Sequence, residues 1–168
     1  RQIYVQEVSQ AWYRRPQDLP NDVDQGGLEV TAGYKMERDD GTFSYAAHAV
    51  VVSIDPELGN VDLLKYVIVE DGGKLINPMI VDGQVYGGAA QGIGTALYEE
   101  MPFDENGQPM ASTLAEYILP GATEVPDIEE PHMETRSPYT KFGQHGIGEG
   151  GAIGSVAAIA SPVTAPLT

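Results

Sequence analysis

The chain has 168 residues, of which 42% are apolar and 20% charged, as in a globular protein rather than a disordered one. Nine Lys and Arg against 25 Asp and Glu give a net charge of −16, which would repel nucleic-acid phosphates and anionic lipid surfaces. We therefore expect no nucleic-acid partner. No cysteine is present, and no apolar run approaches the roughly 20 residues of a membrane span, so we expect a cytoplasmic protein.

Residues 1–26 are predicted to form an N-terminal segment and linker. Ile3, Tyr4 and Val8 would share one side of a short helix, and the acidic, proline-containing stretch that follows is typical of a surface connection. Because the chain starts at Arg1 and ends without a polar tail, we expect a piece of a longer polypeptide. Residues 27–168 are assigned to one further domain.

Three antiparallel strands are predicted from the alternation and β-branched content of residues 28–38, 42–54 and 61–69. Asp39-Asp40-Gly41 predicts a tight turn after the first strand, and residues 55–60 predict another after the second. His48 lies inside the apolar second strand. We interpret it as a hydrogen-bonded core histidine, with a ligand role as the alternative.

A long helix is predicted over residues 78–99, with Asn77 as its N-cap and Pro78 in its first turn. Its interior contains glycines that each cost up to about 1 kcal/mol in a helix: Gly83, Gly87, Gly88, Gly92 and Gly94. Close approach of another backbone or of a bulky ligand would explain them. Gln84 and Gln91 share one helix face and could hydrogen-bond to that neighbour. The alternative is tight helix packing with both glutamines in solvent.

Two smaller elements are predicted after this helix. An Asn-Gly pair at the tip of residues 103–110 indicates a hairpin, and residues 128–134 are typical of an edge strand. The spacing of the three histidines matches no metal motif, so no metal ligand is predicted.

Residues 143–151 place one carboxylate, that of Glu149, inside a run of glycines that leads into a predicted helix. Glycine lets backbone amides come close to a ligand, and a helix N-terminus adds partial positive charge. The pattern predicts a site for an anion or a charged cofactor. The alternative is a flexible turn with a solvated Glu149.

Together these segments resemble the C-terminal part of the molybdenum-binding large subunit of the xanthine dehydrogenase, aldehyde oxidase and carbon monoxide dehydrogenase family. Four motifs in the family's order carry the resemblance: residues 76–100, 103–108, 116–120 and 146–154. The implied fold is α+β, an antiparallel sheet packed with the Gly-rich helix and with a C-terminal helix after Gly150. Residues 27–168 would then be a partial molybdopterin-binding domain.

The resemblance implies part of a molybdenum hydroxylase that oxidises an aldehyde, an N-heterocycle or carbon monoxide, with water as the oxygen source. Glu149 would be the general base, in a poorly solvated loop that raises its proton affinity. The cofactor would be a molybdenum-pterin dithiolene, expected as the molybdopterin cytosine dinucleotide. The residues implied to contact it are Gln91, Gly88, Ala90, Gly92 and Gly148.

The remaining redox groups, FAD and [2Fe–2S] clusters, are expected on other chains or segments, since iron–sulfur clusters require cysteine. The implied partners are the rest of the molybdenum subunit, an iron–sulfur subunit and an FAD subunit. The family commonly has Lys where His145 stands, and Gln144 is also unusual, which leaves the subfamily and the substrate open. The alternative function is a non-catalytic assembly module that keeps the fold without the chemistry.

Overall fold

The computed structural model describes residues 2–23, 26–35, 38 and 41–165. The chain divides into two compact units, Arg1–Lys35 and Met36–Thr168. The first unit contains helix α1 (Val5–Arg14) and a 3₁₀ turn (Pro16–Asp18). At the start of α1 the Glu7 carboxylate accepts the backbone N–H of Tyr4 at 3.2 Å. The predicted N-terminal helix is confirmed, although it begins after Ile3 and Tyr4.

The second unit is built on a long antiparallel hairpin of strands β1 (Tyr45–Ile54) and β2 (Val61–Asp71). Their connection is the predicted turn, in which the Asp55 carboxylate accepts the backbone N–H groups of Glu57 and Leu58. Gly59 closes this turn with a φ of 72°, a left-handed conformation that favours glycine. Two of the three predicted strands and the turn between them are therefore confirmed.

Two short strands, β3 (Ile128–Glu129) and β4 (His132–Met133), pair with β2 in the parallel direction. The predicted edge strand over 128–134 is thus present in two pieces. The predicted strand over 28–38 is wrong, because residues 28–35 and 38 form no strand. All of residues 28–35 are exposed, and apolar alternation without a pairing partner does not make a strand. The predicted turn at Asp39-Asp40 lies outside the described residues.

Helix α2 (Pro78–Leu97) confirms the predicted glycine-containing helix and ends two residues earlier. The Asn77 side chain accepts the backbone N–H of Ile80 at 3.4 Å, and Pro78 occupies the first turn, as predicted. The hydrophobic core joins one face of α2 to residues of β2 and of the C-terminal helix. Its fully or nearly fully buried members are Tyr66, Ile68, Val81, Val85, Ala89, Ile93 and Ile159.

The C-terminal part forms helices α3 (Gly150–Ile153) and α4 (Ser155–Thr164), which are separated only by Gly154. Helix α3 packs on α2, and α4 packs on α2 and β1. The predicted α+β fold, with a helix after Gly150, is confirmed. None of the helices in the described ranges has the length and apolar content that a membrane crossing requires.

The predicted hairpin over residues 103–110 is also present. Phe103 and Pro109 form an antiparallel bridge, and the Asp104 carboxylate accepts the backbone N–H groups of Asn106 and Gln108 at 2.8 and 2.9 Å. Gly107 completes the turn with a φ of 80°.

Candidate functional site

We call residues 143–151 the glycine loop. Its first half is attached to the end of β2. The backbone N–H of His145 donates to the carbonyl of Gly72 at 2.8 Å, and that of Lys74 donates to the carbonyl of Gly143 at 3.0 Å. Gly73 has a φ of 65°, and a Cβ there would overlap the Gly143 carbonyl oxygen. Glycine at this turn is therefore what allows the loop to lie against the sheet.

A buried carboxylate fixes the turn that carries this attachment. Asp71 accepts hydrogen bonds from the Tyr45 hydroxyl at 2.9 Å and from the backbone N–H groups of Gly73 and Thr135 at 2.9 and 3.0 Å. Burial by itself raises the pKa of Asp71, but these hydrogen bonds outweigh it and hold the pKa well below its usual range. Sequence reasoning missed this residue, although an Asp before Gly-Gly is a turn signal.

The second half of the glycine loop lies against helix α2. The Gln84 side-chain N–H donates to the Gly148 carbonyl at 3.3 Å. A Cβ at Gly88 would lie 2.8 Å from a backbone nitrogen of α3, and a Cβ at Gly151 would overlap the backbone of Val85. The close backbone approach that the glycines of α2 predict is therefore made in part by the chain's own α3.

A row of hydrogen-bonded side chains connects β1, β2 and α4 to the end of the glycine loop. His48 Nε2 lies 3.3 Å from the Gly150 carbonyl and its Nδ1 lies 2.9 Å from the Tyr66 hydroxyl. Tyr66 donates to the Ser155 hydroxyl at 2.6 Å, and Ser155 donates to the Gly151 carbonyl at 2.5 Å. His48 is hydrogen-bonded, as predicted, but it is half-buried and not one of the core residues. Nothing in the sequence indicated that Tyr66 and Ser155 share this task.

The row has fewer hydrogens to donate than it has hydrogen-bond contacts. The row ends on two carbonyl acceptors, so its hydrogen bonds outnumber by one the hydrogens that neutral His48, Tyr66 and Ser155 can donate. Burial lowers the pKa of His48, against the smaller opposite effect of the Gly150 carbonyl, and so favours the neutral ring. With Tyr66 donating to Ser155, neutral His48 donates from Nδ1 to the Tyr66 hydroxyl, and its longer Nε2 contact with the Gly150 carbonyl then lacks a hydrogen. The contacts through Tyr66 and Ser155 hold Gly151.

Glu149, the predicted base, is the residue immediately before α3 and has an exposed side chain. Its carbonyl accepts the backbone N–H groups of Ala152 and Ile153 at 3.0 and 3.2 Å, while its carboxylate makes no capping hydrogen bond. The prediction of a poorly solvated carboxylate is wrong for this chain taken alone. The physical reason is that the glycines on either side of Glu149 place no side chain over it.

The residues predicted to contact a cofactor fall into two groups around α2. Gly92 is buried against Ser155, and Gly88 faces α3, so both are directed toward the chain itself. Gln91 is exposed, as is Gly148 in the glycine loop. Ala90 is half-buried and lies about 100° from Gln91 around the helix.

An open face remains on the other side of α2. At Gly83 and Gly87 an added Cβ would meet nothing within 4 Å. Together with Gln84 and Gln91, these two glycines lie within a sector of about 100° around the helix. We call this sector the open glycine face.

The glycine loop offers unpaired backbone donors beside this face. Within the described part of the chain, the backbone N–H groups of residues 146–149 donate to no protein acceptor. Free N–H groups at glycines, next to exposed amide side chains, suit a ligand rich in oxygen, nitrogen or negative charge. The arrangement can therefore hold a polar cofactor against bare backbone, with Glu149 at the edge of the site.

Comparison with known proteins gives a family match to the molybdopterin cofactor-binding domain over residues 1–126. The chain is similar to the 6-hydroxypseudooxynicotine dehydrogenase complex subunit gamma of Paenarthrobacter nicotinovorans, with 37% identity over 97% of this chain and 20% of that protein. It is also similar to the carbon monoxide dehydrogenase large chain of Hydrogenophaga pseudoflava, with 34% identity over 88% of this chain and 17% of that protein. The chain thus spans about a fifth of the length of these curated relatives.

Solved structures show the same likeness. Quinoline 2-oxidoreductase from Pseudomonas putida 86 has a TM-score of 0.78 and 38% identity, and the match covers 94% of this chain and 20% of that one. Reconstituted CO dehydrogenase from Oligotropha carboxidovorans has a TM-score of 0.79 and 29% identity, with 96% of this chain and 20% of that one covered. The family match ends before the glycine loop, whereas the structural matches extend over nearly the whole chain.

Proposed function

This chain belongs to the molybdopterin cofactor-binding domain family, and from that premise we propose that it is part of a molybdenum hydroxylase. The reaction would oxidise a carbon centre in an aldehyde, an N-heterocycle or carbon monoxide, with water as the oxygen source. The similar proteins named above are dehydrogenases and oxidoreductases whose names include an N-heterocycle and carbon monoxide. The observation that carries the proposal is the open glycine face, which lies beside the glycine loop and its carboxylate.

The residues at this face fit a molybdenum-pterin cofactor. Exposed backbone at Gly148 and the amide of Gln91 offer donors and acceptors of the kind that a pterin ring and a phosphate require. Gly88 and Gly92 serve indirectly, because they let α3 and α4 approach α2 and so bring the glycine loop to the face. Ala90 completes the proposed contact set, and the cofactor form we propose is the cytosine dinucleotide.

Glu149 is the proposed general base. When bound, the molybdenum centre would supply the two-electron oxidation and would act as a Lewis acid that lowers the pKa of water. The Glu149 carboxylate then takes up a proton at one of its oxygens, a role that contributes about 10²–10⁴-fold in rate when the base is well placed. Its backbone is fixed by α3, and the row through Tyr66 and Ser155 holds α3 in turn.

Residues from another polypeptide segment are needed to complete this site. Glu149 and Gln91 are both exposed in the chain itself, and a base works best where water is excluded. We propose that the rest of the molybdenum subunit covers them, and that FAD and [2Fe–2S] groups on partner subunits carry the electrons away. We place the assembly in the cytoplasm.

The test is Glu149→Gln in the complete assembly. Glutamine keeps the shape of the side chain and removes its ability to accept a proton. We expect unchanged molybdenum and pterin content, measured by elemental analysis and by fluorescence of the oxidised pterin, with dye-reduction activity at least 100-fold lower. A panel of aldehydes, N-heterocycles and carbon monoxide identifies the substrate with the unmodified assembly.

Glu105→Gln is the matched control, since Glu105 is another exposed glutamate on a turn and lies outside the proposed site. It should retain full activity. Unchanged turnover in Glu149→Gln would refute the base assignment. A purified assembly without molybdenum and pterin would refute the hydroxylase and favour an assembly module.

A further inference from the structure

A second group of titratable side chains lies between helix α2 and the short strand β4. Its members are Asp82 of α2, Glu130 just before β4 and His132 of β4, and we call it the Asp–Glu–His cluster. His132 Nε2 lies 2.9 Å from Asp82 Oδ1 and 3.5 Å from Glu130 Oε1. One potential ligand atom from each of these side chains lies within 4.8 Å of the others.

Glu130 is the unusual member of the cluster. Its side chain is only 2% exposed, and neither carboxylate oxygen has a hydrogen-bond partner. A buried carboxylate is normally satisfied by several hydrogen bonds or by a cation, because removal of its charge from water is unfavourable. Burial raises the pKa of Glu130 to about 7, although His132 acts in the opposite direction.

Glu70 is a further buried carboxylate that interacts electrostatically with Glu130 and His132 but contacts Gly150. It stands opposite His132 in the pairing of β2 with β4, is fully buried, and has no hydrogen-bond partner at either oxygen. The lysines of β2 and of the turn after it pair with other carboxylates, Lys65 with Glu129 at 2.9 Å and Lys74 with Glu134 at 3.5 Å. One imidazolium cannot balance the carboxylates of Asp82, Glu130 and Glu70 together.

We propose that Asp82, Glu130 and His132 bind a divalent transition-metal cation of the zinc class. Bonds of about 2.0–2.1 Å to nitrogen and oxygen in a tetrahedral arrangement place ligand atoms about 3.3 Å apart. The separations of 2.9 and 3.5 Å from His132 Nε2 lie on either side of this value. Because all three ligand atoms lie within 4.8 Å of one another, side-chain movements can bring them around one ion.

The donor set favours zinc over magnesium or calcium. Imidazole nitrogen is a good ligand for zinc, whereas magnesium and calcium select oxygen ligands almost exclusively. The ion would connect the first turns of α2 to the edge of the sheet, and its two positive charges would balance the carboxylates of Asp82 and Glu130. This site uses none of the residues assigned to molybdopterin binding or catalysis.

Binding is tested on the full chain, freed of any affinity tag, by isothermal titration with Zn²⁺, Mn²⁺ and Mg²⁺. We expect one saturable Zn²⁺ site, with Mn²⁺ weaker than Zn²⁺ and Mg²⁺ weaker again. Glu130→Gln and Asp82→Asn should each weaken Zn²⁺ binding at least tenfold. Glu129→Gln is the matched control, because Glu129 is the exposed neighbour that pairs with Lys65, and it should bind Zn²⁺ like the unmodified chain.

A readout without substitution guards against loss of folding in the variants. Co²⁺ added to the unmodified chain should give the intense visible absorption of a four-coordinate site, and Zn²⁺ should displace it. Circular dichroism checks that each variant is folded. No saturable Zn²⁺ binding, Mg²⁺ binding as tight as Zn²⁺ binding, or full Zn²⁺ affinity in folded Glu130→Gln would each overturn the proposal.

Discussion

Alanine in place of Gly87 tests whether the open glycine face lies against the cofactor. An added Cβ at this position meets nothing within 4 Å in the chain itself. Glycine in a helix interior costs about 0.5–1 kcal/mol relative to alanine, so the free energy of unfolding of the isolated chain should rise by that amount. For a chain of 168 residues, a rise in melting temperature of about 2–4 °C per kcal/mol is expected.

The same methyl group should have the opposite effect on cofactor binding in the complete assembly. Extra volume in a close contact costs about 1–3 kcal/mol, which corresponds to an affinity about 5–150-fold lower. Molybdenum and pterin content per protein, measured at limiting cofactor supply, should therefore fall. Thermal unfolding of the isolated chain, measured alongside, should show the gain in stability from the same substitution.

Gly88→Ala is the matched control for Gly87→Ala. A Cβ at Gly88 would lie 2.8 Å from a backbone nitrogen of α3, so this variant should lose stability even without cofactor. Full cofactor content in a stabilised Gly87→Ala chain would refute the placement of the cofactor on this face. A loss of subunit assembly with normal cofactor content would also refute it, because another polypeptide would then be the neighbour.

Three further predictions concern the support of the glycine loop, and urea unfolding measures each of them. Gly151→Ala should lower the free energy of unfolding by about 1–3 kcal/mol, because the new Cβ would overlap the backbone of α2, which cannot move aside. Tyr66→Phe should lower it by about 1–3 kcal/mol, because His48 Nδ1 and the Ser155 hydroxyl each lose a partner. Asp71 has a folded-state pKa below its unfolded value of 3.8, so its contribution to stability is present above that pH and lost as the pH falls below it. Asp71→Asn should be less stable than the unmodified chain at pH 7, and the difference should shrink below pH 3.8; a constant difference would contradict the assignment.

Elements governed by local chemistry could be predicted from the sequence. Asn77 and Pro78 specify where α2 begins, because a capping side chain and a fixed φ act within one helical turn. The turn after β1 depends in the same way on Asp55 and Gly59. The resemblance to the molybdenum subunits is confirmed by the family match. It could be recognised from the sequence because four motifs in the family's order identify a family more specifically than a single glycine pattern does.

Features that depend on distant parts of the chain could not be predicted. Residues 28–35 alternate like a strand but pair with no strand among the described residues, and sequence pattern alone does not reveal whether a partner exists. The parallel pairing of β3 and β4 with β2 joins segments about 60 residues apart. Glu149 was expected in a poorly solvated loop, yet its solvation depends on what covers the glycines around it, which lies outside its own segment.

The glycines of α2 fall into two groups that the sequence pattern does not distinguish. Gly88 and Gly92 are required by the chain itself, because α3 and Ser155 occupy the space that their side chains would fill. Gly83 and Gly87 lower the stability of the same helix and face open space, so packing within the chain does not explain them. A close neighbour on that side would offset their cost, and this neighbour is the second contact that we propose for the helix. One contact is with α3 and α4, which follow Glu149 in the chain, and the other is with the proposed cofactor.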